Sequence, residues 1–290
     1  MRIGFLGLGM MGTPMAINLC RKFSVVVWNR SDSRYDTLID AGAAIGKTPS
    51  HVAKQSDIIF IMLFDGSAIQ SIINSDDDFM KSIRGKIVIN TSSVSVDYSH
   101  KLSQQIHDAG GNFIEMPVSG SKIPAEQGQL VGMIAGDPAI SDLIKPIVEP
   151  ITSAAVYCGP IGSGLKAKYA VNLFLVSVTA GLAESMNLAR SQGLSLESFG
   201  KVLNACPLAS AYSRVKIAKI LKEDWSPQAA MKDCYNSTQL IRSAAQKVQV
   251  QTPLIEICHS LYRDACNSGW GEEDMMAIYK LFTQAQTVPS

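Results

Sequence analysis

The chain has 290 residues, of which 47% are hydrophobic and 18% charged, and a formal net charge of +1. That length exceeds a typical single domain, so two domains, or one domain with a helical extension, are expected. The balanced charge offers no field for nucleic acid or a membrane surface and reads as an ordinary soluble globular protein. Cys20, Cys158, Cys206, Cys234, Cys258 and Cys266 form no C-x-x-C pair and alternate with no ligand-spaced histidines. Neither a disulfide framework nor a zinc site is suggested, and the thiols read as reduced and mostly buried.

The apolar run Arg2 to Leu6 predicts a first strand, and Gly7-Leu8-Gly9-Met10-Met11-Gly12 follows it directly. In such a G-x-G-x-x-G turn the first glycine allows the tight turn, the second lets backbone approach a pyrophosphate, and the third lets helix pack on strand. Thr13 to Cys20 reads as the helix whose N-terminal amides would face the phosphates. The competing reading is a plain glycine-rich turn. A strand at the very start leaves no room for a signal peptide, which makes a cytoplasmic address the default expectation, although earlier trimming would hide an organelle signal.

Val25 to Trp28 predicts a second buried strand, and the acid expected to bind a dinucleotide ribose would fall just after it. Asn29-Arg30-Ser31 stands there instead. A guanidinium can hold a 2′-phosphate in a forked, charge-assisted contact, so NADPH is expected over NADH. The alternative makes Arg30 a solvated charge and gives the ribose contact to Asp32.

Further apolar runs at Ile58 to Leu63, Lys86 to Asn90, Phe113 to Met116, Leu130 to Ala135 and Ala155 to Cys158 alternate with helical patterns. This βα rhythm predicts a Rossmann-like α/β domain with a mostly parallel, doubly wound sheet over residues 1–163. Ligands gather at the carboxyl ends of such strands, which points to Leu63, Phe64 and Thr91 as cofactor neighbours. Thr91 would offer hydroxyl and amide to the nicotinamide ribose, with Ser92 or Ser93 capping the next helix. The acidic run Asp76-Asp77-Asp78 reads as the start of a surface helix. His51, His100, His107 and His259 are scattered, and His100 and His107 read as solvated.

The segment Glu115 to Leu130 follows a strand and is rich in small hydrogen-bonding residues. The Ser119 hydroxyl and the amides of Gly120 and Ser121 can form a small nest for a carboxylate, against the plainer reading of a strand-to-helix turn. Gly159 to Gly164 then feeds a long helix from Leu165 to about Gln192, assigned to residues 164–192. Its apolar stretch from Tyr169 to Leu182 is shorter than the roughly 20 residues a membrane span needs. Lys168 and Asn172 are four apart and share one helical face, where an ammonium and an amide can converge on one substrate. Lys168 sits in an apolar patch and is either snorkelling or functional, with Lys166 as the solvated alternative. Beyond it, Leu196 to Ala205, Ala209 to Leu221, Gln228 to Val248, Pro253 to Ser268 and Asp274 to Ala285 read as helices, making residues 193–290 an all-α domain.

In combination and order, the glycine fingerprint, Pro117-Val118-Ser119-Gly120, Gly162-Ser163-Gly164 leading to Lys168 and Asn172, and Lys232-Asp233 resemble the β-hydroxyacid dehydrogenases over nearly the whole chain. Ser119-Gly120-Ser121-Lys122, Pro124-Ala125-Glu126 and Gly128-Gln129-Leu130 look most like the glyoxylate and succinic semialdehyde reductases within that family, a branch similar in favouring NADPH. The resemblance implies that Lys168 is the catalytic lysine and that Ser119, Gly120 and Asn172 hold a substrate carboxylate. It also implies that Thr91 and Lys232 touch cofactor or substrate, that the helix 164–192 is an interdomain element, and that homodimers or homotetramers form through the helical half. Met231, Cys234 and Tyr235 depart from the leucine-rich surroundings usual around Lys232-Asp233. The expected activity is NADPH-dependent reduction of small carboxylate-bearing aldehydes, chemistry that needs no metal. The runner-up is an NAD-dependent 3-hydroxyisobutyrate-type 3-hydroxyacid dehydrogenase, and a non-catalytic cofactor-binding scaffold is the third reading.

Overall fold

The glycine-punctuated apolar runs at the start of the chain form one half of a wide sheet. In the computed structural model, which describes residues 1–284, the order is β1 (Arg2–Leu6), α1 (Gly12–Cys20), β2 (Ser24–Trp28), α2 (Tyr35–Asp40), β3 (Ala44–Ile45), α3 (Pro49–Lys54) and β4 (Ile58–Ile61). There follow α4 (Gly66–Ser75), α5 (Phe79–Ser82), β5 (Ile87–Asn90), α6 (Val96–Asp108), β6 (Asn112–Glu115), β7 (Val118–Ser119), α7 (Lys122–Glu126), β8 (Leu130–Gly136), α8 (Pro138–Val148) and β9 (Thr152–Gly159). The strands pair in the order β3-β2-β1-β4-β5-β6-β8-β7, and β9 adds to β8.

From β3 to β6 every pairing is parallel, as runs buried on both faces predict. The expected parallel rhythm then breaks, because β8 runs antiparallel to both β6 and β7. Ile3, Phe5, Val25, Val27, Ile58, Phe60, Ile89 and Ile114 project from the sheet into one core, where Phe5 and Phe60 stack with ring centroids 5.8 Å apart. Strand order reverses at β1, whose neighbours are β2 and β4, so the crevice at its carboxyl end opens at Gly7.

The chain divides into two compact units, the first ending at Lys168 and the second beginning at Tyr169. That boundary lies within α9 (Ser163–Ser191), a helix of 29 residues. The reading of its apolar stretch as too short for a membrane span is corrected on length, since the whole helix is long and apolar enough to cross one. One face of it is buried, with Tyr169, Asn172, Val176, Thr179, Ala183 and Met186 enclosed at three- and four-residue spacing, while Val171, Phe174 and Leu188 are exposed.

The second unit continues with α10 (Leu196–Ala205), α11 (Ala211–Lys222), α12 (Met231–Lys247), α13 (Pro253–Ala265) and α14 (Tyr279–Gln284). Ser195 caps α10, and Ser210 with Ser213 forms a reciprocal capping box on α11. Three boundaries differ from expectation by more than two residues. The helix expected from Gln228 begins at Met231, because Asp274 bridges Ala230, which is extended, and accepts from the Gln228 N–H at 2.9 Å, holding the chain out of the helix up to that point. The helix expected to Ser268 ends in a π-helical turn, Cys266–Trp270, which Gly269 leaves at a φ of 87°. The last helix is a 3-10 turn, Met275–Ile278, followed by α14, and the expected end at Ala285 lies outside the described residues.

Asp274, fully buried, also accepts from Lys216 Nζ at 2.6 Å and from Met276 N–H at 3.0 Å. Lys219, itself buried, donates to Asp224 and Ser226 and closes the loop before α12. All six cysteines are free, but only Cys234 and Cys258 are fully buried, which corrects the expectation for the other four.

Candidate active site

Gly7 adopts a φ of +100°, and a Cβ on it would stand 2.2 Å from Met62 O, so the turn after β1 requires glycine. A Cβ on Gly12 would lie 2.0 Å from Gly7 O and 3.1 Å from Phe5 Cε1, which is the close helix-to-strand contact. Gly9 is different. A Cβ there meets no protein atom within 4 Å, and its backbone lies outside the left-handed region. Packing within the chain therefore does not demand glycine at this position, whereas a phosphate placed at the start of α1 would. The turn is thus a cradle that a Cβ would fill, and it fits a dinucleotide. Leu8 is buried, and Thr13 Oγ1 donates to its carbonyl at 2.9 Å; Met10 and Met11 are half-buried and lead into α1.

Asn29 occupies the position expected for a ribose-binding acid. Its Oδ1 accepts from the Leu8 N–H at 3.0 Å and its Nδ2 donates to Ser31 O at 2.9 Å, so it ties the glycine turn to the segment after β2. Tyr35 OH accepts from the Asn29 N–H at 3.0 Å and closes the same corner. Arg30, Ser31 and Asp32 are all exposed. A fixed amide thus replaces the acid, with a guanidinium next to it in sequence.

Leu63 N–H donates to Ser92 Oγ at 2.9 Å, and Phe64 is 52% exposed just beyond the end of β4. Thr91 does not have the geometry expected of it. Its N–H and its hydroxyl both donate to Ile61 O, each at 2.8 Å, and the residue is buried, so both donors have partners within the chain. Nor does Ser92 or Ser93 cap the following helix; Ser95 does, accepting from the Tyr98 N–H. Asp78 precedes α5 without a side-chain cap bond and pairs with Lys54 and Lys81, a surface role. His100 and His107 are exposed.

Ser119 ends β7 half-buried, Gly120 is exposed, and Ser121 precedes α7 without a side-chain cap bond. Four residues upstream of Ser119 lies Glu115, a fully buried carboxylate that sequence reasoning passed over. It accepts from Gly162 N–H at 3.1 Å, from Leu165 N–H at 2.9 Å and from Ser99 Oγ. The only sequence signal for it was an acid closing an apolar strand, where an unpaired charge is costly.

Lys168 lies one helical turn beyond Leu165 and is buried, whereas Lys166 is exposed, so the two lysines divide as an enclosed group and a solvated one. One turn further, Asn172 is buried; its Nδ2 donates to Ser237 Oγ at 3.1 Å while Oδ1 has no protein partner. An orphaned buried acceptor of that kind suits a hydroxyl or ammonium donor. In the second unit, Lys232 at the start of α12 pairs with Glu272, and the Lys232 N–H donates to Gly271 O at 3.0 Å. Burial pushes the neighbouring Asp233 carboxyl above its ordinary value, against the pull of Lys232. Among the described residues no cluster of three or more His, Cys, Asp or Glu side chains can hold a metal ion.

A mostly parallel sheet with a glycine turn at its switch point and a buried lysine near the start of a long helix fits the nicotinamide-dinucleotide oxidoreductases. Residues 2–159 match the NAD binding domain of 6-phosphogluconate dehydrogenase, and residues 162–282 match the NAD-binding domain of NADP-dependent 3-hydroxyisobutyrate dehydrogenase. The chain is 32% identical to glyoxylate/succinic semialdehyde reductase 1 of Arabidopsis thaliana over 280 residues, covering 96% of this chain and 97% of the relative. It is also 30% identical to the human cytokine-like nuclear factor N-PAC, over 97% of this chain but 51% of that protein. The crystal structure of 3-hydroxyisobutyrate dehydrogenase from Salmonella typhimurium superposes with a TM-score of 0.88 at 22% identity, covering 97% of this chain and 99% of the other. The chain belongs to the β-hydroxyacid dehydrogenase family and is an NAD(P)-dependent oxidoreductase.

Proposed function

We propose that the protein reduces small carboxylate-bearing aldehydes with NADPH, taking glyoxylate to glycolate and succinic semialdehyde to 4-hydroxybutyrate. The observation that carries this reading is the burial of Lys168 beside exposed Lys166, in a chain whose relatives include a glyoxylate/succinic semialdehyde reductase. When bound, the reduced nicotinamide supplies the hydride. Lys168 stabilises the negative charge that develops on the aldehyde oxygen and donates the proton that completes the alcohol. In the reverse direction the same amine takes that proton back. Asn172, one turn along the helix, places its open Oδ1 for the lysine ammonium or the product hydroxyl.

Ser119 and the amides of Gly120 and Ser121 hold the substrate carboxylate, and Gly7 to Gly12 hold the pyrophosphate. Arg30 and Ser31 take the 2′-phosphate, with Asn29 fixed to the glycine turn beside them. Leu63 and Phe64 flank the cofactor, and Lys232 reaches cofactor or substrate when it leaves Glu272. Self-association into a homodimer or homotetramer is supported by Val171, Phe174 and Leu188, apolar residues that α9 leaves exposed, with Phe174 71% accessible. We place the enzyme in the cytoplasm, with small molecules rather than nucleic acid or membranes as its partners.

Oxidation of a 3-hydroxyisobutyrate-type 3-hydroxyacid with NAD is the rival, because it would use the same lysine. Steady-state assays with both aldehydes and both cofactors, on wild type and Arg30→Ala, separate the two. NADPH oxidation with either aldehyde supports the proposal, and Arg30→Ala should weaken NADPH about 10- to 100-fold while leaving NADH unchanged. NAD reduction with 3-hydroxyisobutyrate and no aldehyde turnover would replace the proposal with its rival.

A further inference from the structure

We infer that Glu115 is a positioning residue for the reaction: its buried carboxylate fixes the first turn of α9 and, through it, the Lys168 ammonium. The inference rests on Lys168 being the general acid. All three donors to Glu115 come from elements that meet at one point: Ser99 on α6, and the Gly162 and Leu165 amides at the start of α9. Oε1 takes the Leu165 N–H and Oε2 takes the Gly162 N–H and the Ser99 hydroxyl, so one side chain satisfies two amides that a helix start leaves open. A carboxylate there also meets the positive end of the helix dipole.

Close packing reinforces the same turn. A Cβ on Gly164 would stand 2.4 Å from Met133 O, 3.1 Å from Glu115 Oε1 and 3.2 Å from Pro117 Cδ. The helix start therefore rests directly on β8 and on the segment leading to Ser119. Leu165 is fully buried, and Lys168 is three residues on, about 4.5 Å along the axis and on a neighbouring part of the same face. Glu115 closes β6, and Pro117 to Ser119 follow after Met116, so one carboxylate aligns the lysine's helix with the strand that delivers the proposed carboxylate nest. Glu115 itself reaches neither the glycine turn nor the segment of Arg30, since its bonds go to Ser99, Gly162 and Leu165.

The test compares Glu115→Gln, Lys168→Ala and the double variant of the full-length protein, using NADPH and glyoxylate. Glu115→Gln turns one acceptor into an NH2 that faces amide or hydroxyl donors. Its kcat should fall about 10- to 100-fold while its KM for NADPH stays within about threefold, because misplacement rather than binding is altered. In the Lys168→Ala background the same change should cost little further turnover, since both act through one group. If Glu115→Gln does not fold, Glu115→Asp replaces it, keeping the charge but shortening the reach to the two amides, with the same loss expected. Wild-type kcat in the folded Glu115 variant, with Lys168→Ala inactive, overturns the inference and leaves the proposed function standing. Near-wild-type turnover in Lys168→Ala instead removes the general-acid reading and this inference with it.

Discussion

Gly9 and Gly12 stand three residues apart in one turn, yet replacing each by alanine should have opposite consequences. At Gly12 the new methyl would lie 2.0 Å from Gly7 O, more than 1 Å inside contact distance, and Gly7 is itself held at a φ of +100° against Met62. The helix start or the turn must shift, and overpacking of this kind costs about 1–3 kcal/mol. At Gly9 the methyl meets nothing within 4 Å and the backbone tolerates a side chain. The ligand-free Gly9→Ala protein should therefore match wild type, or gain about 0.4–1 kcal/mol because its unfolded chain is less free.

Cofactor binding reverses the ranking of what Gly9→Ala leaves intact. With the pyrophosphate at the proposed place, a methyl at position 9 would push it from the helix start, and losing a hydrogen bond to a charged group costs about 1.5–3 kcal/mol, or about 10- to 150-fold in Kd. Urea unfolding of the free proteins gives the first quantity, and calorimetric titration with NADPH gives the second. A Gly9→Ala variant that binds NADPH like wild type would refute the placement of the pyrophosphate. One as destabilised as Gly12→Ala would refute the claim that packing leaves this glycine free.

In the helical unit, Asp274→Ala removes the partner of Lys216 and of two amides at a buried site, and should destabilise that unit by about 3–5 kcal/mol. Urea titration monitored through Trp225, whose carbonyl accepts from the Asp274 N–H, checks this; a loss below about 1 kcal/mol would show the pair to be dispensable. Asp224 is held at about 2 rather than 3.8 by bonds from Ser226 and Lys219. A carboxyl lowered in the folded state stabilises above its unfolded value and loses that contribution as pH falls toward the folded one. Wild type should thus lose stability relative to Asp224→Asn between pH 3.8 and about 2, measured as urea midpoints across that window. Parallel curves for the two proteins would contradict the assignment.

What could be read in the sequence was whatever repeats or stands in contiguous runs. The β1–α1–β2 unit was legible because Ile3 to Leu6 and Val25 to Val27 are buried on both faces and flank a glycine turn. β3 and β7, each two residues long, are too short to carry a pattern. The reversal of β8 depends on how residues 117–129 turn back, which local periodicity does not encode. The bonds of Thr91 were not legible, because its hydroxyl at a strand end finds the carbonyl of the adjacent strand, Ile61, a partner 30 residues away. Glu115 was missed for the same reason: its partners Gly162 and Leu165 lie 47 and 50 residues downstream. Lys168 and Asn172 were legible because helical spacing alone puts them on one face.

Lys168→Ala, assayed with saturating NADPH and glyoxylate beside a direct titration of NADPH, bears most closely on the proposed chemistry. Loss of a positioned general acid should lower kcat by about 10²- to 10⁴-fold while Kd for NADPH stays within about threefold of wild type. Turnover close to wild type in that variant would contradict Lys168 as the proton donor.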